Sequence, residues 1–157
     1  MTSIDIGLDK KQRNAIAESL NALLADTAVL YQKTHAYHWN VTGPQFPALH
    51  TLFETQYREM WAALDEIAER IRALGAFAPA SGAAFEKLAE IKSADESPPP
   101  AKDMIANLLA DHETLIRRAR AALEAASDAG DAASEDLLTA RISIHEKTAW
   151  MLRATIG

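Results

Sequence analysis

The chain has 157 residues, 48% apolar and 24% charged, with a formal net charge of −6. That length suits one domain spanning 1–157 with a proper core, not two comfortable ones. The lack of cysteine excludes disulfides, thiolate zinc sites and cysteine nucleophiles, and the acidic balance argues against a chain built mainly to coat phosphate backbones.

The opening residues, "MTSIDIGLDKKQRN", have no apolar centre or small-residue cleavage site, so no signal peptide is expected. No apolar run approaches bilayer length, which makes a soluble cytoplasmic protein the default expectation. Asp9 and Gln12 form a capping-box pattern, and Ile16, Leu20, Leu23, Leu24, Thr27, Leu30 and Tyr31 follow with helical periodicity. These predict a first helix over about 10–38. Gly43, Pro44 and Pro47 break the chain, with Pro47 suited to the first turn of a second helix. Leu49, Leu52, Phe53, Met60, Leu64, Ile67, Ile71 and Leu74 carry that helix to a stop at Gly75.

Residues 75–100 are rich in Ala, Ser, Gly and Pro and end in "SPPP"; Phe85, Leu88 and Ile91 predict a short helix inside this connection. A third long helix is expected over about 101–127, then a turn at "SDAGD" with Asp131 as N-cap, then a fourth long helix to about 155. There is no strand pattern. The first and last connections are short, so each joins antiparallel neighbours. The middle one is long enough to run the length of a helix, which makes the second and third long helices parallel. The expected fold is all-α: a four-helix bundle with one long crossover carrying a short extra helix, the ferritin-like arrangement.

His50, Glu54, Asp65 and Glu69 lie on the second helix at roughly 0, 40, 60 and 100° around its axis. His50/Glu54 and Asp65/Glu69 each have the i,i+4 spacing that lets two side chains reach one ion. The two pairs are separated by about 22 Å along the axis, too far for one metal in one subunit. A two-fold dimer with this helix antiparallel to its copy would resolve the conflict, forming two identical mixed sites of imidazole and carboxylate suited to Fe, Zn or Mn. His38, across the short turn from His50, can add a second imidazole. The competing reading is a solvated helix face with ordinary i,i+4 acids. No Glu is followed by His three residues later, which argues against the di-iron motif built within one bundle.

The stretch "KTHAYHWNVTGPQFPALHTLFETQYREMWAALDEIAERIRALG", residues 33–75, closely resembles the signature region of the Dps family, the mini-ferritins or DNA-binding proteins from starved cells. The "KTAWMLRA" ending is similar too. The resemblance implies a dodecameric shell built from two-fold dimers, with an iron-oxidising centre shared between subunits. It implies His38, His50 and Glu54 as ligands from one subunit and Asp65 and Glu69 as ligands from the other. Many relatives have Asp where this chain has Glu54. Trp39 matches an aromatic beside the centre that is thought to absorb oxidising equivalents, with interface packing as its alternative role. The implied activity is a ferroxidase that consumes Fe(II) and hydrogen peroxide, stores ferric mineral in the shell and so protects against oxidative damage. The implied metal is iron.

His35 is either an outer contact of the centre or an interface hydrogen-bonding group, and His112 and His145 are read as core or surface histidines. Family shells have acidic pores lined from the start of the last helix, where Asp128, Asp131, Glu135 and Asp136 stand; Asp136 and Asp131 are the candidates for iron uptake. The alternative function is a DNA-coating stress-protection protein with weak or no ferroxidase activity. Residues 1–13 hold Lys10, Lys11 and Arg13 against Asp5 and Asp9. The only dense basic cluster, "RRAR" at 117–120, has Glu113 and Glu124 at pairing distance along its own helix. DNA binding is therefore expected to be weak. A shell with an inactive centre is the third reading.

Overall fold

The computed structural model describes residues 3–157 and contains five helices: α1 (Lys10–Asn40), α2 (Phe46–Ala73), α3 (Gly82–Leu88), α4 (Ala101–Asp128) and α5 (Ala132–Ile156). Helix α1 begins where the capping box places it. Asp9 Oδ1 accepts from the Gln12 backbone N–H at 2.8 Å, and Gln12 Oε1 accepts from the Asp9 backbone N–H at 2.9 Å. Two donors that a helix start leaves unpaired are thereby satisfied. Helix α2 ends in a Schellman turn: the Gly75 N–H bonds to the Arg72 carbonyl at 3.0 Å and the Ala76 N–H to that of Ile71 at 3.3 Å. Gly75 has φ +94°, a conformation that favours glycine.

Side-chain pairs fix the directions of the long helices. Lys33–Asp111 and Asp26–Arg118 run α1 antiparallel to α4. His38–His50 and Tyr31–Tyr57 run α1 antiparallel to α2. Hence α2 and α4 are parallel, joined by the 75–100 crossover as its length requires. Arg120–Glu146 and Arg153–Glu113 set α4 antiparallel to α5. The bundle encloses Leu20, Leu23, Phe53, Ile67, Leu108 and Leu115, all fully buried. Each stabilises the fold by about 1.5–3 kcal/mol relative to exposure.

Helix α1 is buried all round from Leu23 to Leu30 because the crossover covers its outer side. Buried Asp26 anchors that cover: its Oδ1 accepts from the backbone N–H groups of Glu90 and Ile91 at 2.8 and 2.9 Å, and Arg118 Nε lies 2.7 Å from its Oδ2. The short helix α3 stops at Leu88, before Ile91. Ile91 is buried, but from the loop, held there by the Asp26 bond.

Candidate metal centre

The turn between α1 and α2 brings His38 and His50 together. His38 Nδ1 donates to the His50 carbonyl oxygen at 2.7 Å, and His50 Nδ1 donates to the His38 carbonyl oxygen at 2.8 Å. The rings stack with centroids 3.7 Å apart and planes inclined by 18°. A carbonyl only accepts, so each Nδ1 carries the proton. In the neutral ring the lone pair is therefore on Nε2, the arrangement that outer hydrogen bonds impose on metal-binding imidazoles. His38 is buried and His50 half-buried.

Glu54 is half-buried one turn beyond His50, and its Oε1 accepts from Arg58 Nε at 2.8 Å. That hydrogen bond outweighs the opposing effect of desolvation and, with the Arg58 charge and the proximity of His38 and His50, holds the Glu54 carboxyl below its usual range. Asp65 and Glu69 lie farther along α2, exposed, and neither forms an ion pair among the described residues. The structure thus joins His38, His50 and Glu54 at one end of α2 and leaves Asp65 and Glu69 apart from them. Among the described residues, no three His, Asp or Glu side chains of one chain converge closely enough to hold a metal ion.

The donors that are present suit iron. Two imidazoles and a carboxylate form a borderline nitrogen–oxygen set, and two further carboxylates stand on the same open face. Trp39 and Trp61 are both 65% exposed and Phe46 is 41% exposed. On α2, Phe46, Tyr57, Arg58 and Trp61 fall within roughly 80° of His50 around the axis. The face that carries these candidate ligands is therefore also the face with uncovered apolar rings.

An aromatic cluster adjoins it that the sequence reading did not single out. His35 stacks on Tyr57 at 3.8 Å and 13°, lies 4.1 Å from the Trp39 ring, and bonds through Nδ1 to Tyr31 Oη at 3.2 Å. Tyr31 in turn lies 5.4 Å from Trp61. Burial, followed by the proximity of His38 and Arg58, lowers the His35 pKa and favours a neutral ring. Tyr57 and Trp61 were legible as neighbours of the site, because they share the helical face of His50.

The acids at the start of α5 separate by role. Asp136 is exposed. Asp131 is 5% exposed; both its oxygens accept from Arg70 Nη2 at 2.8 Å, and Oδ1 also accepts from the Ser134 N–H at 3.3 Å. Burial raises the Asp131 pKa, but the Arg70 and Ser134 contacts outweigh it and the net shift is downward. The N-cap reading of Asp131 holds. Its carboxylate is also paired with Arg70 within the subunit, whereas that of Asp136 is exposed.

Of the remaining readings, the core placement of His112 and His145 holds and the pairing of the basic cluster changes. His112 and His145 are both buried and bonded to each other, Nδ1 to Nδ1, at 2.9 Å. Arg141 Nη2 donates to His145 Nε2 at 2.9 Å, and Arg141 also pairs with Glu59. The "RRAR" arginines find partners mostly off their own helix: Arg118 on Asp26 and Glu90, Arg120 on Glu146. Glu113 pairs with Arg153 rather than Arg117. The packed α4–α5 and crossover faces offer closer carboxylates than the i,i+4 positions do.

Among the described residues no helix is long and apolar enough to cross a membrane. The sequence profile of the ferritin-like domain matches residues 17–157. An uncharacterised low temperature-induced protein of Nostoc is 43% identical, covering 99% of this chain and 88% of the relative. DNA protection during starvation protein 2 of Bacillus anthracis is 37% identical, covering 90% of this chain and 97% of the relative. The crystal structure of the Dps protein of Vibrio cholerae, described as a member of a superfamily of ferritin-like diiron-carboxylate proteins, superposes with a TM-score of 0.94 at 34% identity, covering 100% of this chain and 99% of that one. With the ferritin-like profile matched over most of its length and these relatives covering nearly all of it, the chain belongs to the Dps family of ferritin-like proteins.

Proposed function

We propose that the protein is a ferroxidase and iron store whose metal centre is completed by a second copy of the chain. The observation that carries this reading is the reciprocal His38–His50 bond, which prepares two imidazole nitrogens for a metal at the end of α2 remote from Asp65 and Glu69. In a two-fold dimer with α2 antiparallel to its copy, His38, His50 and Glu54 of one subunit face the partner subunit's Asp65 and the partner subunit's Glu69. The exposed Trp39, Phe46 and Trp61 supply apolar surface for that contact. Six such dimers would close a dodecameric shell.

The substrates are Fe(II) and hydrogen peroxide. Two Fe(II) ions each give one electron; the peroxide O–O bond takes both electrons and two protons and breaks to two waters. The imidazoles bind iron without adding charge, and the carboxylates favour the ferric product more than the ferrous substrate. Ferric ions then pass to the shell interior as mineral, and removing both reagents together suppresses hydroxyl radical formation. Trp39, 4.1 Å from His35 beside the centre, stands where a stray oxidising equivalent would be intercepted. Exposed Asp136 is the proposed lining of the uptake pore. Ion pairing of Arg118 and Arg120 within the subunit favours iron handling over DNA coating as the main role.

Crystals soaked with Fe(II) and measured at the iron absorption edge test the reading. The expected anomalous peak is bounded by His38, His50, Glu54 and carboxylates of a second chain. A peak enclosed by one chain, or none at this face, contradicts it.

A further inference from the structure

This chain carries Glu, not the shorter Asp, four residues after His50, and the structure shows what the longer side chain does. Glu54 reaches along α2 to Arg58, whose Nε stands 2.8 Å from Oε1. Arg58 lies at roughly 80° around the α2 axis, between Glu54 at roughly 40° and Glu69 at roughly 100°. Its guanidinium carbon is 5.7 Å from the centre of the Tyr57 ring, and Tyr57 meets His38 edge-on at 5.2 Å. A permanent cation is thus built into the face on which the metal-binding groups are displayed.

The charge balance gives that cation a task. An imidazole that ligates a metal brings no charge, whereas each carboxylate brings one. In the dimer proposed above, on which this inference rests, two more carboxylates come to the same place. Three carboxylates enclosed together repel one another unless a positive charge lies among them. Arg58 is already bonded to the first. A divalent cation that takes full possession of Glu54 has to displace the guanidinium and works against its charge.

We propose that Arg58 is the built-in counter-ion of the metal centre: it holds Glu54 while the centre is empty, gives way when a divalent cation binds, and thereby sets the affinity of the centre. It is a positioning residue, acting through Glu54. Its presence would keep the empty carboxylates from trapping adventitious ions tightly and would leave a turning-over centre easier to empty.

The test uses Co(II), which does not turn over, titrated calorimetrically into assembled shells. The Arg58 side chain is 68% exposed, so its replacement does not open the core. Arg58→Gln should bind Co(II) roughly two- to fivefold more tightly than wild type, the scale of one exposed ion-pair contact, and Arg58→Lys should stay near wild type. Unchanged or weaker binding by Arg58→Gln, with binding abolished in His50→Ala, overturns the role of Arg58 and leaves the metal centre standing. Full Co(II) binding by His50→Ala instead overturns the centre itself, and Arg58 with it. A crystal of the Co(II)-loaded wild-type shell checks the same point without a variant: the guanidinium should have left Glu54, and an intact Arg58–Glu54 bond beside a metal-bound Glu54 contradicts the proposal.

Discussion

His38 and His50 each hold the other's ring by its Nδ1 proton, at 2.7 and 2.8 Å through the two backbone carbonyls. This is a local consequence of the turn between α1 and α2. It orients the two rings within a single chain. Neither ring has to change tautomer on binding, which lowers the cost of assembling the centre.

Loss of a ligand should therefore be far more damaging to chemistry than to fold. His50→Ala and Asp65→Ala are each expected to lower peroxide-driven Fe(II) oxidation by more than the roughly 10–100-fold that outer hydrogen-bond partners are worth. Asp65 is exposed, so its replacement should shift subunit stability by no more than about 0.5 kcal/mol. Stopped-flow oxidation and urea unfolding read the two effects. Wild-type oxidation rates in both variants would remove these residues from the centre.

Asp131 and Asp136, five positions apart at the start of one helix, should behave oppositely. Asp131→Asn leaves the partly buried Arg70 without its carboxylate and should cost roughly 2–4 kcal/mol in urea unfolding. Asp136→Asn should cost under about 0.5 kcal/mol while slowing iron uptake into the shell. Equal stability losses in the two variants would contradict the assignment of Asp131 to the fold and Asp136 to the surface.

The His112–His145 pair makes the subunit acid-sensitive. Burial, then the charge of Arg141, lowers the His112 pKa from 6.5 to about 3. Burial, His112 and Arg141 hold His145 well below 6.5 as well. The unfolded chain thus takes up protons near pH 6.5 that the folded chain refuses. Stability is complete above that pH and falls as pH drops below 6.5, for His112 by up to about 1.4 kcal/mol per pH unit until pH nears about 3, with His145 acting in the same direction. Urea midpoints measured from pH 7.5 to 4.5 should show this fall. In a His112→Leu/His145→Leu variant it should be much shallower; the same slope in both proteins would place the acid sensitivity elsewhere.

Much of the architecture was legible because its signals are local. Asp9 and Gln12 marked the start of α1, Gly75 the end of α2, and the length of 75–100 the parallel pairing of α2 with α4. The alignment of His50, Glu54, Asp65 and Glu69 on one face of α2 was legible for the same reason, since helical periodicity alone produces it. What the sequence hid was pairing across long separations. Arg70 lies 61 positions from Asp131 and Arg118 lies 28 from Glu90, and no local pattern tells which cation a carboxylate will meet. His112 and His145 sit on the apolar faces of separate helices, and their meeting depends on the register between α4 and α5. Arg58 was within local reach of Glu54 all along. It was overlooked because an exposed i,i+4 pair is ordinarily worth so little.

The central claim is that each centre is shared between two chains, and subunit mixing tests it most directly. His38→Ala/His50→Ala and Asp65→Ala/Glu69→Ala are each inactive alone on this account. Dissociated, mixed equally and reassembled, they pair at random, and about half of the dimers contain one of each. In such a dimer one site carries both defects and the other carries none. About a quarter of the wild-type sites, and of the peroxide-driven iron oxidation, should return. With exchange verified by mass labelling, activity that stays at the level of the separate variants would show that each centre lies within one subunit and would contradict the account.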